Sequence, residues 1–224
     1  GDLSRSALVL TAGTVAAGAI DPLDTGEDAA WRHVDAAWAG PLRLSPRYAE
    51  LLEGVERADS VGFSGHKWLF QPKECGVVLF ADTGAAHEAL SFGGGYLAAP
   101  NIGVLGSHGA AALPLAATLL AWGRRGVAER VERCMAIAAE LAALVAARRE
   151  LELFGEPVTG VVLWRPGGRD VRAVRDRLDG AFVSLANVEG ELWLRSVAAN
   201  PLADPRLVVE RVLAAVSASA VGDS

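Results

Sequence analysis

The feature that most constrains this chain is a series of short apolar runs, each ending in a polar or glycine-containing cluster. Ala7–Leu10 stops at Thr11-Ala12-Gly13-Thr14, Trp31–Ala37 carries Asp35 near its end, and Ser60–Phe63 stops at Ser64-Gly65-His66-Lys67. Each run has strand length and strand composition, and each is bounded by turn residues. Strands that recur with long intervening connections predict a mostly parallel α/β sheet. In such sheets ligands collect beyond the carboxyl ends of the strands. Three polar clusters at three successive strand ends therefore predict a binding site there.

The rest of the chain reads in the same terms. A fourth apolar run, Cys75–Phe80, is expected to be covered on both faces. Ser45-Pro46 has the form of a helix cap followed by proline, predicting a helix to about Glu56. Residues 110–149 have a helical pattern broken near Gly123-Arg124-Arg125-Gly126, with Val131–Arg149 as one long helix. The uncharged stretch Ile102–Gly123 contains glycines and Pro114 and reads as a glycine-rich loop feeding a buried helix, not a membrane span. After it come a strand (Thr159–Trp164), a helix (Asp170–Leu178), two strands (Ala181–Leu185 and Glu191–Ser196) and a helix (Asp204–Ala218). The expected organisation is residues 1–125 as part of a large domain, 126–149 as a connecting helix and 150–224 as a small α+β domain.

Composition narrows the function. With 27 acidic against 21 basic residues the net charge is −6, which argues against nucleic acid or an anionic membrane as the main partner. Cys75 and Cys134 show no metal-ligand spacing, so neither a disulfide framework nor a zinc site is expected, and a reducing, cytoplasmic setting fits. No signal peptide is visible at the first residues, and the chain starts without methionine almost directly on a strand, as a piece of a longer protein would. The basic residues are nearly all arginine; Lys67 and Lys73 are the only lysines.

Lys67 stands between a strand end and the apolar Trp68-Leu69-Phe70. Desolvation favours the neutral amine, so Lys67 reads either as a Schiff-base nucleophile or as a loop lysine. Asp35, among small alanines, is either a turn aspartate or an anionic partner for a protonated ring nitrogen, with Ala37 small enough to let a ring lie flat. His33 reads as a structural strand histidine, and His66, beside Lys67, as structural or functional. Arg195 interrupts an apolar strand and is either a snorkelling edge residue or a bidentate carboxylate clamp. Gly93-Gly94-Gly95 lacks a phosphate-loop frame and reads as a loop.

Taken together, Thr11-Ala12-Gly13-Thr14, Asp21-Pro22-Leu23, His33-Val34-Asp35-Ala36-Ala37-Trp38-Ala39-Gly40, Ala58-Asp59-Ser60, Gly65-His66-Lys67-Trp68-Leu69, Pro72 and Cys75-Gly76 resemble the group II pyridoxal-phosphate-dependent amino-acid decarboxylases. The resemblance covers most of residues 7–80 and continues more weakly to Trp193-Leu194-Arg195 and Asn200-Pro201. It implies a fold-type I aminotransferase-like architecture, a homodimer and pyridoxal 5′-phosphate as cofactor. It further implies Lys67 as the cofactor-bearing lysine, Asp35 as partner of the pyridine nitrogen and Ala37 against the ring. Ser64 takes a phosphate-side position, Thr14 and His66 lie near the cofactor, and Arg195 holds the substrate carboxylate. The implied reaction is decarboxylation of an L-amino acid to its amine; carbon–carbon lyase or aldolase chemistry, or a non-catalytic remnant, are the alternatives. Val15 after Thr14, and Pro114, Ala116 and Leu120 in the long helix, depart from the family pattern. The family's N-terminal half, with its phosphate loop and ring-stacking histidine, has no counterpart here, so a further chain segment is an expected partner.

Overall fold

The computed structural model describes residues 2–93, 95, 101–102, 109–110 and 112–221. The Gly93–Gly95 run and the glycine-rich segment after Ile102 lie largely outside them.

Strands β1 (Ala7–Thr11), β2 (Trp31–Asp35), β3 (Ser60–Ser64) and β4 (Gly76–Phe80) form one sheet in chain order. β1–β2 and β2–β3 are parallel, and β3–β4 is antiparallel. The mostly parallel sheet is thus as expected, with β4 as its reversed edge. The expectation that β4 is covered on both faces is wrong. Val78 and Leu79 are each 55% exposed, because they point to opposite faces of the sheet and the described residues cover neither face fully at this edge.

The expected helix from Ser45 is replaced by two 3₁₀ segments, Ala49–Leu52 and Val55–Arg57, and a third, Gly40–Leu44, precedes it. The cap signal itself is real, since the Ser45 hydroxyl accepts from the Arg47 amide at 3.2 Å. Only Ser45, Leu52 and Gly54 are buried between residues 45 and 56, so no stripe at helical spacing holds a continuous helix against the core. Gly54, at φ 94°, separates the last two segments, and a side chain there would strike the backbone of Leu23 and Asp24.

Helix α1 (Thr83–Leu90) is capped by Asp82, whose carboxylate accepts from the Gly84 and Ala85 amides. A two-residue pairing joins β5 (Ser91–Phe92) to β6 (Asn101–Ile102). Helix α2 (Ala112–Ala146) kinks at Gly123, inside the break read from the sequence. Beyond the kink, Val127, Val131, Cys134, Ala138, Leu141 and Val145 recur at helical spacing and are buried. Each such Val or Leu contributes about 1.5–3 kcal/mol relative to an exposed position. Before the kink the helix is not buried as expected: Leu113 is 67% and Leu120 87% exposed.

Strands β7 (Leu151–Leu153), β8 (Val161–Pro166), β9 (Ser184–Val188) and β10 (Glu191–Val197) form a second, antiparallel sheet in the order β7-β8-β10-β9. β9 and β10 join through Glu189-Gly190, both left-handed at φ 55° and 81°, as a two-residue hairpin with right-handed twist requires. Helices α3 (Val171–Asp176), capped by Asp170, and α4 (Pro205–Val221) complete the unit. Most of the residues buried in both sheets and in α2 belong to one continuous apolar cluster, while Leu163, Ala186 and Trp193 on the other face of the second sheet form a smaller one.

Candidate active site

The strand register builds the site. Thr11 pairs with Asp35 and Asp35 with Gly62, so the carboxyl ends of β1, β2 and β3 lie side by side. Asp35 and Ser64 are the last residues of β2 and β3, the turns beyond the three strands carry Thr14, Ala37, His66 and Lys67, and the register sets all six at one end of the sheet. Arg195 stands apart from them on β10.

Asp35 ends β2 and is exposed. One of its oxygens accepts from the Ala37 amide at 3.0 Å, so it does serve as a turn aspartate. Its second oxygen has no partner among the described residues and is free to meet a cation or N–H donor. Backbone bonds fix this end: the Ala12 amide donates to the Asp35 carbonyl at 2.8 Å and the Ala36 amide to the Gly62 carbonyl at 2.8 Å. Gly13, at φ 94°, lets the turn after β1 press on Trp38; a Cβ there would lie 2.9 Å from the Trp38 ring. The Thr14 hydroxyl accepts from the Ala19 amide at 3.0 Å and retains its proton for donation. His33 is structural, as read: its Nδ1 lies 2.7 Å from the Ser60 hydroxyl, which also accepts from the Trp31 indole at 2.9 Å.

Lys67 sits in a turn held at both ends. The Lys67 amide donates to the Ser64 carbonyl at 3.3 Å and the Phe70 amide to the Lys67 carbonyl at 3.1 Å. The Gly65 amide donates to the Cys75 carbonyl at 2.9 Å, closing the loop. Buried Gln71 donates from its side chain to the Thr118 hydroxyl at 3.0 Å, tying the turn to α2. Lys67 is half-buried, and its amine has no hydrogen-bond or ion-pair partner among the described residues. His66 Nδ1 is buried and likewise unpartnered. A buried polar atom without a partner costs free energy, so a ring nitrogen kept in that state marks a place where another group belongs.

Arg195 alternates with Trp193 and Val197 on one face of β10. That face meets Ala16 and Ala17 of the loop after β1, because Trp193, Leu163 and Ala186 pack against them. Arg195 therefore lies on the face that the loop after β1 packs against and is partly buried there. Its Nη1 donates to the Ser184 hydroxyl at 3.4 Å, its Nε is buried without a partner, and no carboxylate pairs with it among the described residues. Burial alone pushes its guanidinium below the ordinary arginine range. Neighbouring Arg165 is the contrast: it bonds Glu191 and Glu152, and those bonds raise it.

Sequence reasoning missed the two tryptophans beside these residues. Trp68 is fully buried and donates from its indole to the Ala198 carbonyl at 2.8 Å. Trp38 stacks on it with ring centroids 4.2 Å apart and donates to the Thr159 carbonyl at 2.5 Å. The available signal was position: Trp38 follows Asp35 and two alanines, and Trp68 follows Lys67 directly.

These residues suit a planar pyridine cofactor on its ring and lysine sides. Asp35 offers a free carboxylate oxygen, Lys67 an unpaired amine, Ala37 a small flank and His66 an unpartnered nitrogen. The phosphate side is different, since no α-helix begins at these strand ends to offer its amides.

The model of the pyridoxal-dependent decarboxylase conserved domain matches residues 6–166, and the chain belongs to that family. Its relatives have named reactions. L-2,4-diaminobutyrate decarboxylase of Rhizobium meliloti (strain 1021) is 34% identical over 241 residues, covering 96% of this chain and 48% of that protein. Cysteine sulfinic acid decarboxylase of Rattus norvegicus is 45% identical over 78 residues, 33% of this chain and 16% of that one. Among solved structures, the glutamate decarboxylase domain from Vibrio parahaemolyticus superposes with a TM-score of 0.79 at 28% identity, covering 94% of this chain and 46% of that one. Mouse CSAD in apo form superposes with a TM-score of 0.82 at 24% identity, covering 92% and 51%, and shares the fold. The chain spans about half the length of the curated relatives that it matches along most of its length. The fold is the fold-type I architecture read from the sequence.

Proposed function

We propose that this chain is the carboxyl-terminal portion of a pyridoxal-phosphate-dependent amino-acid decarboxylase, a carboxy-lyase converting an L-amino acid to its amine and carbon dioxide. One observation carries the reading: Asp35 and Lys67 lie at adjacent parallel strand ends, Asp35 with a carboxylate oxygen and Lys67 with an amine that no described residue engages. The family match and the 34% identity to a diaminobutyrate decarboxylase support it.

Each residue has a role that its own chemistry supplies. Lys67 provides the amine that holds the cofactor covalently and is free to move a proton at Nζ. Asp35 holds a proton on the ring nitrogen through its unpaired oxygen. Bound in this way, the cofactor supplies an electron sink for the pair left when carbon dioxide departs. Ala37 leaves room beside the ring, Ser64 and Thr14 offer hydroxyls, and His66 offers a nitrogen without another partner. Arg195 binds the substrate carboxylate through its planar fork and orients the bond to be broken. No helix long and apolar enough to cross a membrane occurs among the described residues. The reading places the enzyme in the cytoplasm as a homodimer, with an N-terminal segment completing the phosphate site. Exposed Val9 and Val78 on the first sheet support further covering chain, since such a face is costly bare.

The experiment is borohydride reduction of the chain after incubation with pyridoxal 5′-phosphate, followed by peptide mapping. The pyridoxyl group is expected on Lys67 and absent in Lys67→Ala. Adduct on Lys73 alone would refute the lysine assignment. Turnover by residues 1–224 alone is expected to be negligible, with amine and carbon dioxide produced once an N-terminal half is supplied. An aldehyde product, or no product from the completed enzyme, would replace the decarboxylase reading with its lyase or non-catalytic alternatives.

A further inference from the structure

All three loops at the carboxyl ends of β1, β2 and β3 are tied to a single place on the second sheet. The loop after β1 accepts there, with the Gly18 carbonyl bonded by the Thr159 hydroxyl at 2.6 Å. The loop after β2 donates through the Trp38 indole to the Thr159 carbonyl. The loop after β3 donates through the Trp68 indole to the Ala198 carbonyl at 2.8 Å. The two acceptor segments are joined to each other, since the Ala198 amide donates to the Gly160 carbonyl at 2.9 Å. Thr159 is fully buried, and Trp68 presses so closely on Gly160 that a Cβ there would lie 2.6 Å from its ring. This place is the end of the β8–β10 ladder, where Val197 pairs with Val161. The run Arg195-Ser196-Val197-Ala198 leads to it from the unpaired guanidinium.

We infer that Trp38 and Trp68 are positioning residues that set Asp35 and Lys67 against Arg195 through the Thr159–Gly160/Ala198 end of the second sheet. The inference rests on the proposed cofactor and substrate roles of those three residues. Its physical basis is that both indoles are stacked on each other and buried, so neither donor has water to exchange for its carbonyl. A shift of β10 is then transmitted to the Lys67 turn, and the reverse holds too. Packing alone requires only a large apolar ring at these sites; coupling requires the indole N–H.

Trp68→Phe keeps an aromatic ring against Trp38 and removes the donor. In the chain incubated with pyridoxal 5′-phosphate and reduced with borohydride, the ratio of Lys67 to Lys73 adduct is expected to fall by about five-fold, the equivalent of one buried hydrogen bond. Lys73 adduct should be unchanged. Hydrogen exchange should quicken together at amides 65–71 and at 196–199, on the two sides of the lost bond. Trp38→Phe, which loses the equivalent bond to Thr159, should lower the ratio by a similar factor of about five, and decides the matter if Trp68→Phe does not fold. A lower melting temperature with an unchanged adduct ratio would show that the tryptophans are structural only and overturn the inference. Wild-type chain that labels Lys73 as readily as Lys67 would overturn the cofactor reading itself, and the inference with it.

Discussion

An arginine kept half-buried without a carboxylate should cost the folded chain stability, and Arg195 allows this to be measured. Its Nε is buried with no partner, and its one described side-chain hydrogen bond, to Ser184, is long at 3.4 Å. Replacement by methionine preserves the apolar stem beside Trp193 and removes the charge and the orphaned N–H. An unsatisfied buried donor costs about 1–3 kcal/mol, and the half-exposed guanidinium places Arg195 near 1 kcal/mol. A chain of this size gains about 2–4 °C in melting temperature per kcal/mol. Arg195→Met should therefore melt about 2–4 °C higher than wild type by calorimetry. In the enzyme completed with its N-terminal half, the same variant should lose the upward melting shift that an amino-acid substrate gives to wild type. A stability gain paired with a loss of ligand response is the mark of a charge held for binding. A variant that melts several degrees lower would show that Arg195 holds the fold together, and the carboxylate role would fail.

Asp35→Ala should bind pyridoxal phosphate but reduce decarboxylation in the completed enzyme by several kcal/mol of barrier, on the order of the strong electrostatic catalytic effects, measured as kcat. Arg195→Lys should raise KM more than it lowers kcat, because an ammonium cannot reproduce the fork; equal KM would refute the clamp. Burial pushes the Cys134 thiol from 9.0 up to about 11, which leaves roughly a hundredth of the ordinary thiolate at pH 8. Iodoacetamide should consequently spare Cys134 in the native chain by at least that factor and label it freely in denaturant. Gly54→Ala forces a side chain into a left-handed residue against the Leu23–Asp24 backbone and should cost about 1–3 kcal/mol, read as a lower melting temperature.

The strand ends were legible because strands announce themselves by composition and stop at turn residues. In the structure β1 and β3 close at Thr11 and Ser64, one residue beyond the runs read, and β2 closes at Asp35, two residues before the expected end at Ala37. Boundaries failed where apolar letters did not mean burial. Phe182 was read into a strand but is 88% exposed, and β9 begins at Ser184. Leu151–Leu153 is too short for any periodicity, so β7 was missed, and α1 went unread although Asp82 caps it. The helix expected after Ser45 shows the limit of a cap signal without a buried stripe behind it. Of the candidate site, Asp35, Lys67 and their neighbours were readable as strand-end chemistry. The indole bonds of Trp38 and Trp68 were not, since their acceptors are main-chain carbonyls 121 and 130 residues away.

The apolar cluster that runs unbroken through both sheets and α2 bears on how such a gene can be divided. Cutting anywhere along residues 126–149 would strip each product of the surface that its partner buries, and neither would be expected to persist in a cell. The Glu189-Gly190 hairpin tip, with both residues exposed, is by contrast a place where a peptide tag or a sensor domain could be spliced in without touching that interior. A natural or engineered rearrangement of this chain would thus travel as one cassette, tolerant of insertion at that tip and intolerant of a break in its long helix.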